Sequence, residues 1–176
     1  IEDCIRLGTV PFSILARHGF IARTILLSLV QREILTMQDV NNIQANARTV
    51  ASELVDDMRE LQIGSLSRSD FMVKYGHLRP GTYDILSHRY DQMQDMGKNY
   101  HDDQSEQHTT NFELSLRQNL QINRLLEDEG FQGINTKMLI EYIEKAIVGR
   151  EYGKFIFTRS VSGMLELVAN FGEEYG

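Results

Sequence analysis

The sequence is short of several things, and each shortage removes a class of function. One cysteine, Cys4, stands among 176 residues, so no disulfide can close within the chain and no cysteine-based zinc site can be assembled. A lone thiol fits a reducing compartment, and a cytoplasmic location is the expectation. Lys and Arg number 18 against 25 Asp and Glu, a net charge of −7, which leaves no basic surplus to meet phosphate backbones or anionic lipid. Neither nucleic acid nor a membrane is expected as a partner. No uninterrupted apolar run reaches the roughly 20 residues of a membrane span. The start at Ile1 carries no initiator Met, basic leader or small-residue cleavage site, so both ends read as cut points in a longer chain. Tryptophan is absent and only two prolines occur, which leaves little to interrupt helices. Nucleophile elbows, Walker lysines, GxGxxG loops, internal repeats and alternating strand patterns are all missing. No catalysis is expected from this stretch alone, and no metal or cofactor within it.

What is present is helical periodicity. From Pro11 to Ile34 apolar residues go far around a helix, the pattern of a central bundle member. Thr36 and Asp39 resemble a capping box, with Asp in place of the usual Glu, and Val40, Ile43, Ala47, Val50, Leu54, Met58 and Leu61 then recur at spacings of three and four, as expected of one amphipathic helix. Ser67 with Asp70 caps a short helix, Phe71 to Tyr75, which Gly76 can end in a left-handed conformation. A helix is expected from Phe112 to Glu129 with Gly130 as its C-cap. Asn135 or Thr136 then opens one long helix through Phe171, with Leu139, Tyr142, Ile143, Ala146, Phe157, Val161, Met164, Val168 and Phe171 on one face. Residues 97–111 are polar and almost without aliphatics, so they are expected to be an exposed, irregular connection. The fold class predicted is all-α: a single-domain helical bundle over residues 1–176, with one long C-terminal helix and two irregular loops.

The five histidines make no helical His-x-x-x-His pair. His101 and His108 read as solvated loop residues and His18 as a packed or surface one. Ser87-His88 lacks the preceding glycines of a phosphohistidine loop. Chemistry is densest in Tyr75-Gly76-His77-Leu78-Arg79-Pro80-Gly81-Thr82-Tyr83-Asp84, where Pro80-Gly81 suits a type II turn ringed by an imidazole, a guanidinium, a hydroxyl, a phenol and a carboxylate. Two readings stand side by side. Arg79 could fork onto a phosphate or carboxylate at a cavity mouth, or Arg79, Asp84 and His77 could bond helix ends and one another to hold the loop. A second cluster, Arg150, Glu151, Lys154 and Arg159, lies on the long helix, with Arg150 near its buried stripe. The candidate substrate-binding set is therefore His77, Arg79, Thr82, Asp84 and Arg150.

The loop continues as YGHLRPGTYDILSHRY. It resembles, at equal length, the Tyr-Gly-His-Arg-Gly-Pro-x-Glu-x-Asp stretch ending in Arg-Trp of phosphoenolpyruvate synthase-like enzymes, the rifampin phosphotransferases among them. Tyr75, Gly76, His77, Pro80, Asp84 and Arg89 match, Tyr90 stands for Trp, and Leu78, Arg79 and Thr82 depart from the family's Arg, Gly and Glu. PFSILARHGFIARTILLSLVQREIL and GREYGKFIFTRSVSGMLELVANFGEEYG are similar to the same region. The resemblance implies the central helical region of a multidomain phosphotransferase, on its acceptor side or as a connector. The parent chain would supply an ATP-grasp domain using ATP and Mg and a mobile phosphohistidine domain, with a small-molecule acceptor. The alternative is a stand-alone helical module that binds a protein.

Overall fold

The computed structural model describes residues 2–81, 83–93 and 112–175, so the expectation for residues 97–111 and the placement of Thr82 lie outside the described residues. The fold is all-α with a long C-terminal helix, and no strand occurs among the described residues. The helices are α1 (Glu2–Gln31), α2 (Met37–Asn46), α3 (Val50–Ile63), α4 (Arg68–Tyr75), α5 (Leu116–Asp128) and α6 (Thr136–Tyr175), with a 3-10 turn at Tyr90–Gln92.

Local chemistry explains most of the boundaries. Thr36 accepts from the Asp39 N–H while the Asp39 carboxylate accepts from the Thr36 N–H, the expected capping box of α2. Ser67 caps α4 through the Asp70 N–H. The helix expected from Phe112 begins later, at Leu116, because Ser115 and Gln118 form a capping box of their own. It ends in a Schellman turn: Gly130 is left-handed at φ 82°, with Phe131 N–H on Leu126 O and Gly130 N–H on Glu127 O. Asn135 caps α6 by accepting from Met138 N–H.

Two expectations about the helices need correction. The first helix does not start at Pro11. It runs from Glu2 and takes a π turn at Ile5–Thr9, with Val10 N–H on Ile5 O. Pro11 has no N–H to give and its ring crowds the carbonyl four residues back, so the wider turn falls where the regular ladder fails. At 30 residues this helix is also long and apolar enough by composition to cross a membrane. Arg17, His18 and Arg23 interrupt every continuous run, which hides the stretch from a reading of uninterrupted residues. Finally, the run from Val40 to Leu61 is two helices. Ala47 turns extended at ψ 99°, since the apolar residues before it and after it serve different cores.

Those cores belong to two compact units. One takes the described residues of 13–49 and 106–150. Its interior joins Ala22, Leu26 and Leu29 of α1, Leu35, Val40 and Ile43 around α2, Ile122 and Leu126 of α5, and Ile143 and Ala146 of α6. Each fully buried Leu or Ile there contributes about 1.5–3 kcal/mol. Thr136 ties α6 to α5, its N–H on Asn123 Oδ1 at 2.8 Å and its hydroxyl on Asn119 O at 3.0 Å.

The other unit takes the described residues of 1–12, 50–105 and 151–176. Phe71 and Tyr75 of α4 are fully buried, and the Tyr75 ring meets Phe155 of α6 edge-on at 5.9 Å. Phe12 stacks on Phe157 at 5.6 Å. In this unit α6 does not bury the face expected of it: Met164, Val168 and Phe171 are exposed, while Thr158 and Ser162 are buried. Ser162 accepts there from the Arg79 guanidinium, and the Thr158 hydroxyl donates back to the Lys154 and Phe155 carbonyls of its own helix, so both buried hydroxyls are satisfied.

Candidate functional site

The segment from Tyr75 to Gln92 packs against this part of α6, and it begins with a glycine needed for space. Gly76 is right-handed at φ −54°, so the left-handed ending expected of it is not what the chain uses. A Cβ at Gly76 would lie 2.4 Å from the Met72 carbonyl oxygen and 3.1 Å from Asp91 Cβ. The absence of a side chain lets the returning strand of loop cross: Asp91 N–H donates to Gly76 O at 3.1 Å and Tyr90 N–H to Leu78 O at 2.8 Å. The type II turn at Pro80-Gly81 is also absent, since positive φ among the described glycines is confined to Gly64, Gly130 and Gly133. The hydrogen-bonded turn starts at Gly81 instead, with Asp84 N–H on Gly81 O at 2.9 Å. Ser87 Oγ accepts from Gly81 N–H, and the Asp84 carboxylate from Leu86 N–H.

Arg79 is the centre of the loop. Its side chain is 3% exposed and its donors are distributed over three partners. Nε donates to Ser162 Oγ at 3.1 Å, Nη1 to the Ser87 carbonyl, and Nη2 to Glu166 Oε2 at 3.0 Å and Ser162 O at 3.4 Å. Gln92 Nε2 donates to the other Glu166 oxygen. A planar five-donor fork suits this task, closing the loop onto two successive turns of α6. These contacts engage all three nitrogens of the guanidinium within the unit itself.

His77 is buried beside it, edge-on to Phe155 at 4.8 Å. Burial first, and then the Arg159 and Arg89 cations, push its pKa below the ordinary 6.5, against opposing pulls from the Phe155 backbone and Asp91. Near neutral pH this favours the uncharged imidazole. Its Nε2 and the Arg89 Nε are buried without a hydrogen-bond partner among the described residues. Arg159 donates to the Lys74 carbonyl and lies over the Phe155 ring. Lys74 in turn bridges Glu53 and Asp57 of α3, and the Tyr75 hydroxyl donates to Asp57 at 2.7 Å. Burial raises the Tyr75 pKa to about 12.

Of the candidate residues, His77 and Arg79 are thus brought together in the interior of one unit, and Asp84 sits exposed at the loop's turn. Arg150 belongs to the other unit. There its guanidinium lies 5.9 Å over the Phe20 ring, and its stem passes so close to Gly19 that a Cβ there would meet Arg150 Cδ at 2.6 Å. The residues that sequence reasoning missed are Ser162 and Glu166. They follow Phe155 and Arg159 at spacings of three and four, a polar stripe on α6 that marks one face as surely as an apolar one.

Set against family models, curated proteins and solved structures, the chain matches none of them. The class established is that of the fold, an all-α protein with a long C-terminal helix.

Proposed function

We propose that the chain is the central helical region of a phosphoenolpyruvate synthase-like phosphotransferase and serves there as a connector. The observation that carries this reading is the Tyr75 to Arg89 loop. The residues matching the family stretch include those at its foundation: Tyr75 anchored on Asp57, Gly76 at the crossing point, and His77 against Phe155. These are the residues on which the shape of this loop depends. Arg79, at a position where the family has Gly, is engaged with Ser87, Ser162 and Glu166, which favours a loop-holding role over an acceptor contact.

In this reading ATP and Mg are held by an ATP-grasp domain, and the phosphoryl group is carried by a histidine on a mobile domain. Both lie elsewhere in a cytoplasmic parent chain, and the acceptor is a small molecule. This segment performs no chemical step. The test is the sequence on either side in the same reading frame. An ATP-grasp segment before it and a glycine-rich Ser/Thr-His segment after it are expected, and neither being present would remove the reading.

One observation favours the second reading, a stand-alone protein-binding module. Exposed apolar side chains run along α1 at Ile5, Leu7, Val10 and Ile14 and along α6 at Leu167, Val168 and Phe171, more than solitary surface residues explain. Loss of the flanking domains in the reading-frame test would leave this as the function.

A further inference from the structure

We propose that the chain associates with a second copy of itself, the acidic aromatic end of α6 on one copy seated on the basic leucine face of α5 on the other. This goes beyond the phosphotransfer reading and does not depend on it.

The receiving face is on α5. Leu116 and Leu120, one turn apart, are 76% and 50% exposed. Arg117 and Arg124, two turns apart, run along the edge beside them, and together with Gln121 these residues line a shallow groove. Neither arginine has a hydrogen bond or ion pair among the described residues. In a chain of net charge −7, such a face repels little that is acidic and attracts it locally. Its complement is an apolar surface edged by carboxylates.

The last turns of α6 are such a surface. Leu167, Val168, Phe171 and Tyr175 are 70%, 58%, 64% and 71% exposed and fall on one stripe of the helix. The Phe171 and Tyr175 rings already lie against each other at 4.7 Å, so they present a formed ridge rather than two free rotors. Glu174 lies two turns beyond Leu167 on the same edge and has no ion-pair partner among the described residues, whereas Glu173 falls on the opposite side of the helix. Ridge and groove thus match in both respects, aromatics against leucines and the Glu174 carboxylate against guanidinium groups. Exposed ion pairs add little each. Apolar burial supplies the attraction, and the charges decide which surfaces meet. Because the two faces differ, each copy keeps one of each to offer, and association continues past a dimer or closes as a ring.

Sedimentation velocity of the 176-residue chain from about 1 μM to about 1 mM tests this, a range that spans weak self-affinity. The sedimentation coefficient is expected to rise with concentration. Arg117→Glu with Arg124→Glu should weaken association at least tenfold, and Glu174→Lys should weaken it several-fold. An equimolar mixture of the two variants should associate again, since each then carries the face the other has lost. Circular dichroism confirms that each variant is folded, and Arg117→Gln with Arg124→Gln replaces the first pair if it is not. A chain that stays monomeric throughout, variants that associate as well as the parent, or a mixture that fails to recover would each overturn the proposal. A monomer would instead leave the α5 face to a different protein.

Discussion

Arg79 shows at the scale of one residue why a motif alone could not separate a binding loop from a braced one. Its neighbours in sequence, Pro80 to Asp84, suggested an arginine at a cavity mouth, whereas its partners Ser162 and Glu166 lie more than 80 positions away. Nothing local announces a contact of that range. Replacing Arg79 by Ala strands the Ser87 carbonyl, the Ser162 hydroxyl and the inner oxygen of Glu166, and an unfolding free energy lower by about 2–4 kcal/mol is expected from urea titration followed by circular dichroism. Arg79→Lys keeps the charge but not the fork, so a loss of about 1–2 kcal/mol is expected. A variant indistinguishable from the parent would mean the loop is held by something else.

His77 gives the residue scale a pH dependence. An imidazole whose folded pKa lies below its ordinary 6.5 binds fewer protons folded than unfolded. Its contribution to stability is complete above about 6.5 and is lost as pH falls through the lowered value. The charged groups acting on it are Arg159 and Arg89, which oppose protonation, and Asp91, which favours it. Urea midpoints measured between pH 7.5 and 5 should therefore fall with acid, and His77→Gln should flatten that fall. An unchanged slope in the variant would show that another group is responsible.

At the scale of the element the sequence was most legible where the backbone's needs are met within three or four residues. Thr36 with Asp39, Ser67 with Asp70, and Gly130 each mark a helix end for a local physical reason, and each stands where expected. The Ser115 and Gln118 box was equally readable, and attention to it would have placed the start of α5 correctly. Periodicity was less reliable, because Val40 to Leu61 continues one rhythm across a break between two cores. One helix end is legible only in the structure. Glu33 closes α1 at φ 58° with Ile34 N–H on Leu29 O and Glu33 N–H on Val30 O, the position that glycine usually fills. A Cβ in that conformation costs about 1–2 kcal/mol, partly offset by the greater freedom of unfolded glycine. Glu33→Gly is accordingly expected to raise stability by up to about 1 kcal/mol in thermal unfolding, and a destabilised variant would show that the left-handed residue is not strained.

For the whole molecule, composition excluded more than it identified. The all-α class follows from helical periodicity and the scarcity of proline. The division into two units does not, since it depends on which side chains Ala47 separates rather than on any linker composition. The proposed function rests on the one loop whose spacing and residues resemble phosphoenolpyruvate synthase-like enzymes, and that loop is a braced crossing of Gly76, His77 and Arg79 against α6. If the parent chain works through a phosphohistidine, this segment joins the domain that loads the histidine to the one that empties it. The direct measurement is to incubate the longest native form of the protein containing this segment with ATP labelled in both its β- and γ-phosphates, and to follow protein-bound label. Label that survives alkali, is lost in acid and lies outside these 176 residues is the expected result. A protein that acquires no label, or acquires it within this segment, would contradict the connector role.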